Sequence, residues 1–151
     1  MLIEALFAFL HYVSFIVLIS MLVVEWVVYD RKLSAKQAKT LMTTDRLYGI
    51  SAMFVIITGL LKAFYFGKGA EYYFTNYIFY AKLGIVLIIA LLSIYPTIRF
   101  IKWSALLKEE VTEILVEESE YLKTKKLLRM ELVLAPLVPL LAALMARGVG
   151  F

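Results

Sequence analysis

The stretch "EALFAFLHYVSFIVLISMLVVEW", residues 4–26, decides the fold. It exceeds the roughly 20 residues that a helix needs to cross a hydrocarbon core of about 30 Å. Its apolar residues continue round the helix, so the period-two alternation of a barrel strand is absent. Three further runs of the same kind follow, and the spans are expected at about 2–29, 47–66, 77–101 and 127–145. A soluble chain of 151 residues could not hide a 63% hydrophobic composition inside itself. The expected architecture is all-α: a polytopic membrane four-helix bundle forming a single domain over residues 1–151.

The first run reads as a retained span. It has no basic stretch before it, is long for a signal-peptide core, and lacks a small-x-small cleavage site before Asp30. The absence of cysteine excludes disulfides, thiolate metal sites and cysteine nucleophiles.

Lys and Arg fix the expected orientation. The first and third connections with their flanks carry twelve: Arg31, Lys32, Lys36, Lys39, Arg46, Arg99, Lys102, Lys108, Lys123, Lys125, Lys126 and Arg129. The opposite side carries four: Lys62, Lys68, Lys82 and Arg147. This asymmetry predicts cytoplasmic connections and both termini outside. It also explains the net charge of +4. No aromatic-basic stripe supports nucleic acid as a partner; lipid is the expected surrounding.

The connecting segments carry local signals. Ser34 and Gln37 have capping-box spacing and predict a short helix. Thr43, Thr44 and Asp45 are N-cap candidates for the second span. The loop "FGKGAEYYFTNY" supplies two glycines for turning and an interfacial tyrosine cluster. Between spans three and four, Trp103, Leu106, Leu107, Val111, Ile114, Leu115 and Leu122 approximate helical spacing opposite six glutamates. They predict an amphipathic cytoplasmic helix that continues from the third span or lies along the membrane. Pro96, Pro136 and Pro139 predict kinks within spans.

Ionisable residues inside spans cost about 2.5–3.5 kcal/mol on insertion scales and normally face a partner or a cavity. They fall into two layers. The outer one holds the only histidine, His11, with Lys62 and Lys82. The inner one mixes Glu25 and Glu131 with Arg46 and Arg99, an expected structural network of interhelical ion pairs. On the first helix Glu4, His11 and Glu25 lie at multiples of seven residues, so they share one face. In the plainer alternative, Lys62, Arg99 and Lys102 snorkel and His11 bonds a backbone carbonyl or a tyrosine hydroxyl. In the chemical alternative, His11 ligates haem iron while Lys62 and Lys82 pair with porphyrin or other carboxylates. One histidine per chain leaves haem five-coordinate, with a non-histidine sixth ligand, or shared across a homodimer. Six methionines without a clustered motif make copper the weaker metal, and no serine-histidine-acid arrangement suggests a hydrolase.

The order "AFLHY", "TTDRLYGISAMFVIITGLL" and "FYAKLGIVLIIALLSIY" resembles the HemJ family of membrane protoporphyrinogen oxidases over about residues 5–100. The matching positions are His11, Arg46 with Gly59-Leu60, and Lys82-Leu83. The resemblance implies a b-type haem with His11 as axial ligand and Arg46 and Lys82 as catalytic charges. Tyr80 stands where that family commonly has histidine, and the acidic third connection also departs from its pattern. As a whole the chain is more similar to a bacterial family of predicted inner-membrane proteins without an assigned function. The functional expectation is a haem- or porphyrin-binding oxidoreductase. Its rival is a non-enzymatic scaffold or transporter-like module that uses its intramembrane charges for packing or ion passage.

Overall fold

The chain folds into long helices joined at one end by a two-stranded ladder. The computed structural model describes residues 2–65, 69–107 and 111–151. Phe66, Gly67, Lys68, Lys108, Glu109 and Glu110 lie outside the described residues, and with them parts of the charge count, the glycine loop and the acidic connection.

In chain order the elements are α1 (Leu2–Val28), β1 (Lys32–Ser34), α2 (Ala35–Phe64), α3 (Ala70–Phe74), α4 (Tyr77–Leu106), β2 (Glu113–Leu115), α5 (Glu118–Leu134) and α6 (Leu137–Ala146). Four segments are long and apolar enough to span a membrane, with α5 and α6 together making the fourth. At most 22% of any of their apolar windows is buried within the protein. Apolar side chains facing outward in such numbers require lipid as solvent. The all-α membrane bundle expected from sequence is the observed class.

Three boundaries differ from the expected ones. The Ser34–Gln37 capping box forms, with the Ser34 backbone N–H donating to Gln37 Oε1 at 2.9 Å and Gln37 N–H donating to Ser34 Oγ at 3.3 Å. The helix that it starts does not stop, however. It runs for 30 residues into the second span, so Thr43, Thr44 and Asp45 are interior residues, not caps. Thr43 Oγ1 donates to the Lys39 carbonyl within the same helix.

Among the described residues the third connection is helical only at its two ends: α4 continues five residues past the expected 101 to Leu106, and Leu122 belongs to α5. Between them, residues 113–115 pair antiparallel with β1, in the register Lys32↔Leu115, Leu33↔Ile114, Ser34↔Glu113. Val111, Thr112, Ile114 and Val116 make this stretch dense in β-branched residues, which favour extended backbone. Ile114 and Val116 point inward and Leu115 outward, a period of two. Lys32 Nζ meets Glu113 Oε2 diagonally across the ladder at 3.0 Å. The fourth span then begins at Glu118, nine residues before the expected 127.

The prolines act according to position. Pro136 separates α5 from α6 because it offers no N–H and its ring clashes with the preceding turn. Pro139 lies in the first turn of α6, where a missing N–H costs little. α4 continues through Pro96 without interruption.

The larger core cluster lies at the end that carries the ladder, the sheet end. It joins Leu18, Leu22 and Tyr29 of the α1 segment to Leu41, Tyr48, Phe100, Trp103, Ile114 and Leu128. Tyr29 stacks on Trp103 and Tyr121, with ring centroids 6.1 and 5.8 Å apart. The opposite, terminal end has a smaller cluster of Ile78, Phe79 and Met145. There Asn76, fully buried, donates through Nδ2 to the Val149 carbonyl at 2.9 Å and accepts from the Ile78 N–H at 2.9 Å. Gly150 completes this clasp at φ 107°, a left-handed conformation, and a Cβ there would collide with the Asn76 amide.

Candidate functional site

Of the three α1 residues placed on one face, Glu25 is buried and His11 half-buried, with Leu18 buried between them, whereas Glu4 in the first turn is exposed. α2 answers with a polar stripe of its own. Asp45, Tyr48, Ser51 and Thr58 are all buried, at steps of three, three and seven residues, and half-buried Lys62 follows four residues on. Two polar layers result. Thirteen residues separate Asp45 from Thr58, so the layers stand about 20 Å apart along α2.

At the terminal end, His11 Nδ1 lies 2.9 Å from Thr58 Oγ1. The Thr58 hydroxyl hydrogen is already given to the Phe54 carbonyl, at 2.5 Å. Thr58 Oγ1 must therefore accept, and His11 Nδ1 must carry the hydrogen. The Val55 carbonyl is a second acceptor beside the ring. In this tautomer, with the imidazole neutral, the lone pair sits on Nε2. Close approach of the ring depends on Gly59: a Cβ there would stand 3.3 Å from His11 Cε1. Lys62 and Lys82 both act electrostatically on His11, and on each other. Lys62 Nζ lies over the Tyr12 ring, 5.1 Å from its centroid, and Lys82 Nζ lies 5.2 Å from that of Phe79.

At the sheet end, Glu25, Asp45 and Glu131 come together from α1, α2 and α5. The Tyr48 hydroxyl donates to Glu131 Oε2 at 2.7 Å, and the Thr97 hydroxyl donates to Asp45 Oδ1 at 2.6 Å. Glu25 Oε1 and Glu131 Oε1 are buried without a hydrogen-bond partner among the described residues. Close to this layer, burial pushes the Tyr29 phenol up to about 12, so it stays neutral.

The expected ion-pair network takes a different form. Arg46 is exposed and makes no bond to either glutamate among the described residues. One residue along a helix is a turn of about 100°, so Arg46 faces away when Asp45 faces inward. Arg99 pairs with Glu120 Oε2 at 3.3 Å and reaches the Tyr95 hydroxyl at 3.4 Å. The structure thus brings His11, Lys62 and Lys82 together and leaves Arg46 at the other end of α2. Sequence reasoning missed Thr58 and Tyr48 and the inward role of Asp45. The signal was present as polar residues at helical steps in an otherwise apolar span.

Four membrane-length apolar helices enclosing two polar layers define a polytopic α-helical membrane protein. Residues 3–150 match the family described as predicted membrane protein (DUF2214), and the chain belongs to that family. That description gives membrane residence and no reaction. No curated protein and no solved structure matches the chain.

Proposed function

We propose that this is a multi-pass protein of the bacterial inner membrane, with both termini outside, that binds b-type haem or a related porphyrin through His11. It acts in membrane redox chemistry of the HemJ type. The observation that carries this reading is the anchored imidazole. A metal-binding histidine nearly always donates its other ring N–H to a fixed acceptor, which sets the tautomer and the ring orientation. Thr58 is such an acceptor for His11. Lys62 and Lys82 supply positive charge suited to propionates or to the carboxylates of a porphyrin substrate.

The donor set fits haem in a limited way. One imidazole per chain holds iron on one face only, so the other face is open, bears a non-histidine ligand, or is met by a second copy. Bound haem would supply one-electron redox chemistry. The residues of this chain would hold it, orient it and neutralise its carboxylates. Lys82 is the candidate catalytic charge near it. Arg46, at the opposite end of α2, has no direct part at a centre built on His11.

The test is the visible absorption spectrum of protein purified in mild detergent from haem-replete cells. A Soret band that disappears in His11→Ala supports the reading. A colourless, well-folded wild-type protein overturns it. The buried carboxyl layer favours a second reading, a transporter-like module in which intramembrane charges serve ion passage; colourless protein with pH-driven ion flux in vesicles would support that one.

A further inference from the structure

We propose that Glu25, Asp45 and Glu131 form a proton-binding site in the sheet-end half of the bundle, with Tyr48 and Thr97 holding two of the carboxyls in place. This site is separate from His11 and does not depend on haem.

Three acids meet here from three helices. Each of the two donors satisfies only one oxygen. Glu25 and Glu131 are 2% and 0% exposed, and each keeps a buried oxygen without a partner among the described residues. A buried carboxylate is tolerated only when paired and hydrogen-bonded, and among the described residues no salt bridge reaches these acids: Arg46 is exposed and faces away. Arg99 meets Glu120, Lys123 Nζ sits 3.9 Å from the Tyr95 ring centroid, and Lys125 donates to the Trp26 carbonyl. Three negative charges without a cation would repel one another in a low-dielectric setting.

Something positive must enter. A metal ion is disfavoured, because among the described residues no three acidic or histidine side chains converge closely enough to hold one. A proton needs no such geometry. Each uptake converts one carboxylate to a carboxylic acid, taking the proton from hydronium and leaving water. Asp45 is the most exposed of the three, at 8%. A cleft of about 510 Å³ lined by Lys36, Lys39, Thr40, Thr43 and Thr44 reaches its chain neighbour Thr44.

Infrared spectroscopy of the full chain in lipid nanodiscs tests the site. At neutral pH the wild type should show a protonated-carboxyl carbonyl band that shifts in D₂O and is indifferent to sodium. Glu25→Gln and Glu131→Gln should each remove one carboxyl's share of it. Any haem propionate would leave its own band in both variants. Absence of the band in the wild type, which needs no variant to fold, overturns the proposal. So does a band unchanged by Glu25→Gln, Asp45→Asn and Glu131→Gln alike. A band that appears only when sodium is withdrawn overturns it in favour of a cation site.

Discussion

Tyr48→Phe removes one oxygen and leaves the ring that packs in the core, so its effect isolates the bond to Glu131. The bond is 2.7 Å long, Tyr48 is 5% exposed and Glu131 is fully buried. A bond between neutral partners contributes about 0.5–1.5 kcal/mol, and interhelical bonds in membranes average about 0.6 kcal/mol. A bond to a carboxylate contributes about 1.5–3 kcal/mol, and stripping a buried charge of its partner costs about 3–5 kcal/mol. If Glu131 carries a proton, Tyr48→Phe should cost about 1 kcal/mol. The cost should be the same in a Glu131→Gln background, since glutamine offers a neutral acceptor of the same shape. The assay is reversible unfolding in mixed dodecylmaltoside–dodecylsulfate micelles, followed by circular dichroism on the wild type, both single variants and the double variant. A cost in the wild type that exceeds the cost in the glutamine background by about 1.5 kcal/mol or more would mean an ionised Glu131, and would refute the reasoning.

Three further outcomes are expected. His11→Ala should abolish bound haem, measured as pyridine haemochrome per protein, while the helices remain inserted. Thr58→Ala should lower haem affinity roughly 10–100-fold, because the ring loses its anchor, and Lys82→Ala should weaken retention as a countercharge is lost; haem content unchanged by His11→Ala ends the ligand role. Asn76→Ala should destabilise by about 2 kcal/mol, combining a lost helix cap with an unpaired Val149 carbonyl; an unfolding midpoint that hardly moves would show that the clasp at the terminal end contributes nothing. Reporter fusions at Phe151 and near Glu117 should give opposite topology signals, with Phe151 outside, and a cytoplasmic signal at Phe151 would reverse the orientation drawn from the Lys and Arg count.

Sequence revealed what depends on one helix at a time. The seven-residue spacing of His11 and Glu25 needs only helical geometry to put both on one face, and that face is inward. The Ser34–Gln37 box is a contact between residues three apart, and it forms. What depends on two helices was not legible. Depth in the membrane put Glu25 and Arg46 at the same level but could not give the azimuth of Arg46. Arg99 has a carboxylate partner, but it is Glu120, in the first turn of α5. Hydropathy assigns that turn to the connection, because its residues are charged. The same limit hid the start of α2. Apolar content marks where a helix enters lipid, whereas the cap at Ser34 marks where the helix begins.

The two ends of the bundle are built for different work, and α2 ties them together. Twelve buried residues form one cluster at the sheet end, locked further by the ladder between β1 and β2. Among the described residues only three form the cluster at the terminal end, where His11 is half-buried and Phe9 and Tyr12 beside it are largely exposed. A ligand admitted near His11 displaces few buried contacts, while one admitted near Glu25 would have to open the main core. Opening the terminal end therefore disturbs less of the described core than opening the sheet end. Because Asp45, Tyr48, Thr58 and Lys62 all project from one unbroken 30-residue helix, a rotation of α2 that adjusts the His11 contact also moves the donor to Glu131. If both proposed sites are occupied, a coupling carried by α2 would make binding at one layer change proton affinity at the other, equally and reciprocally. Haem titrations repeated across pH should show that linkage in the wild type and lose it in Glu131→Gln. A linkage unchanged in Glu131→Gln would mean that it does not run through Glu131, and its absence in the wild type would mean that the two layers work independently.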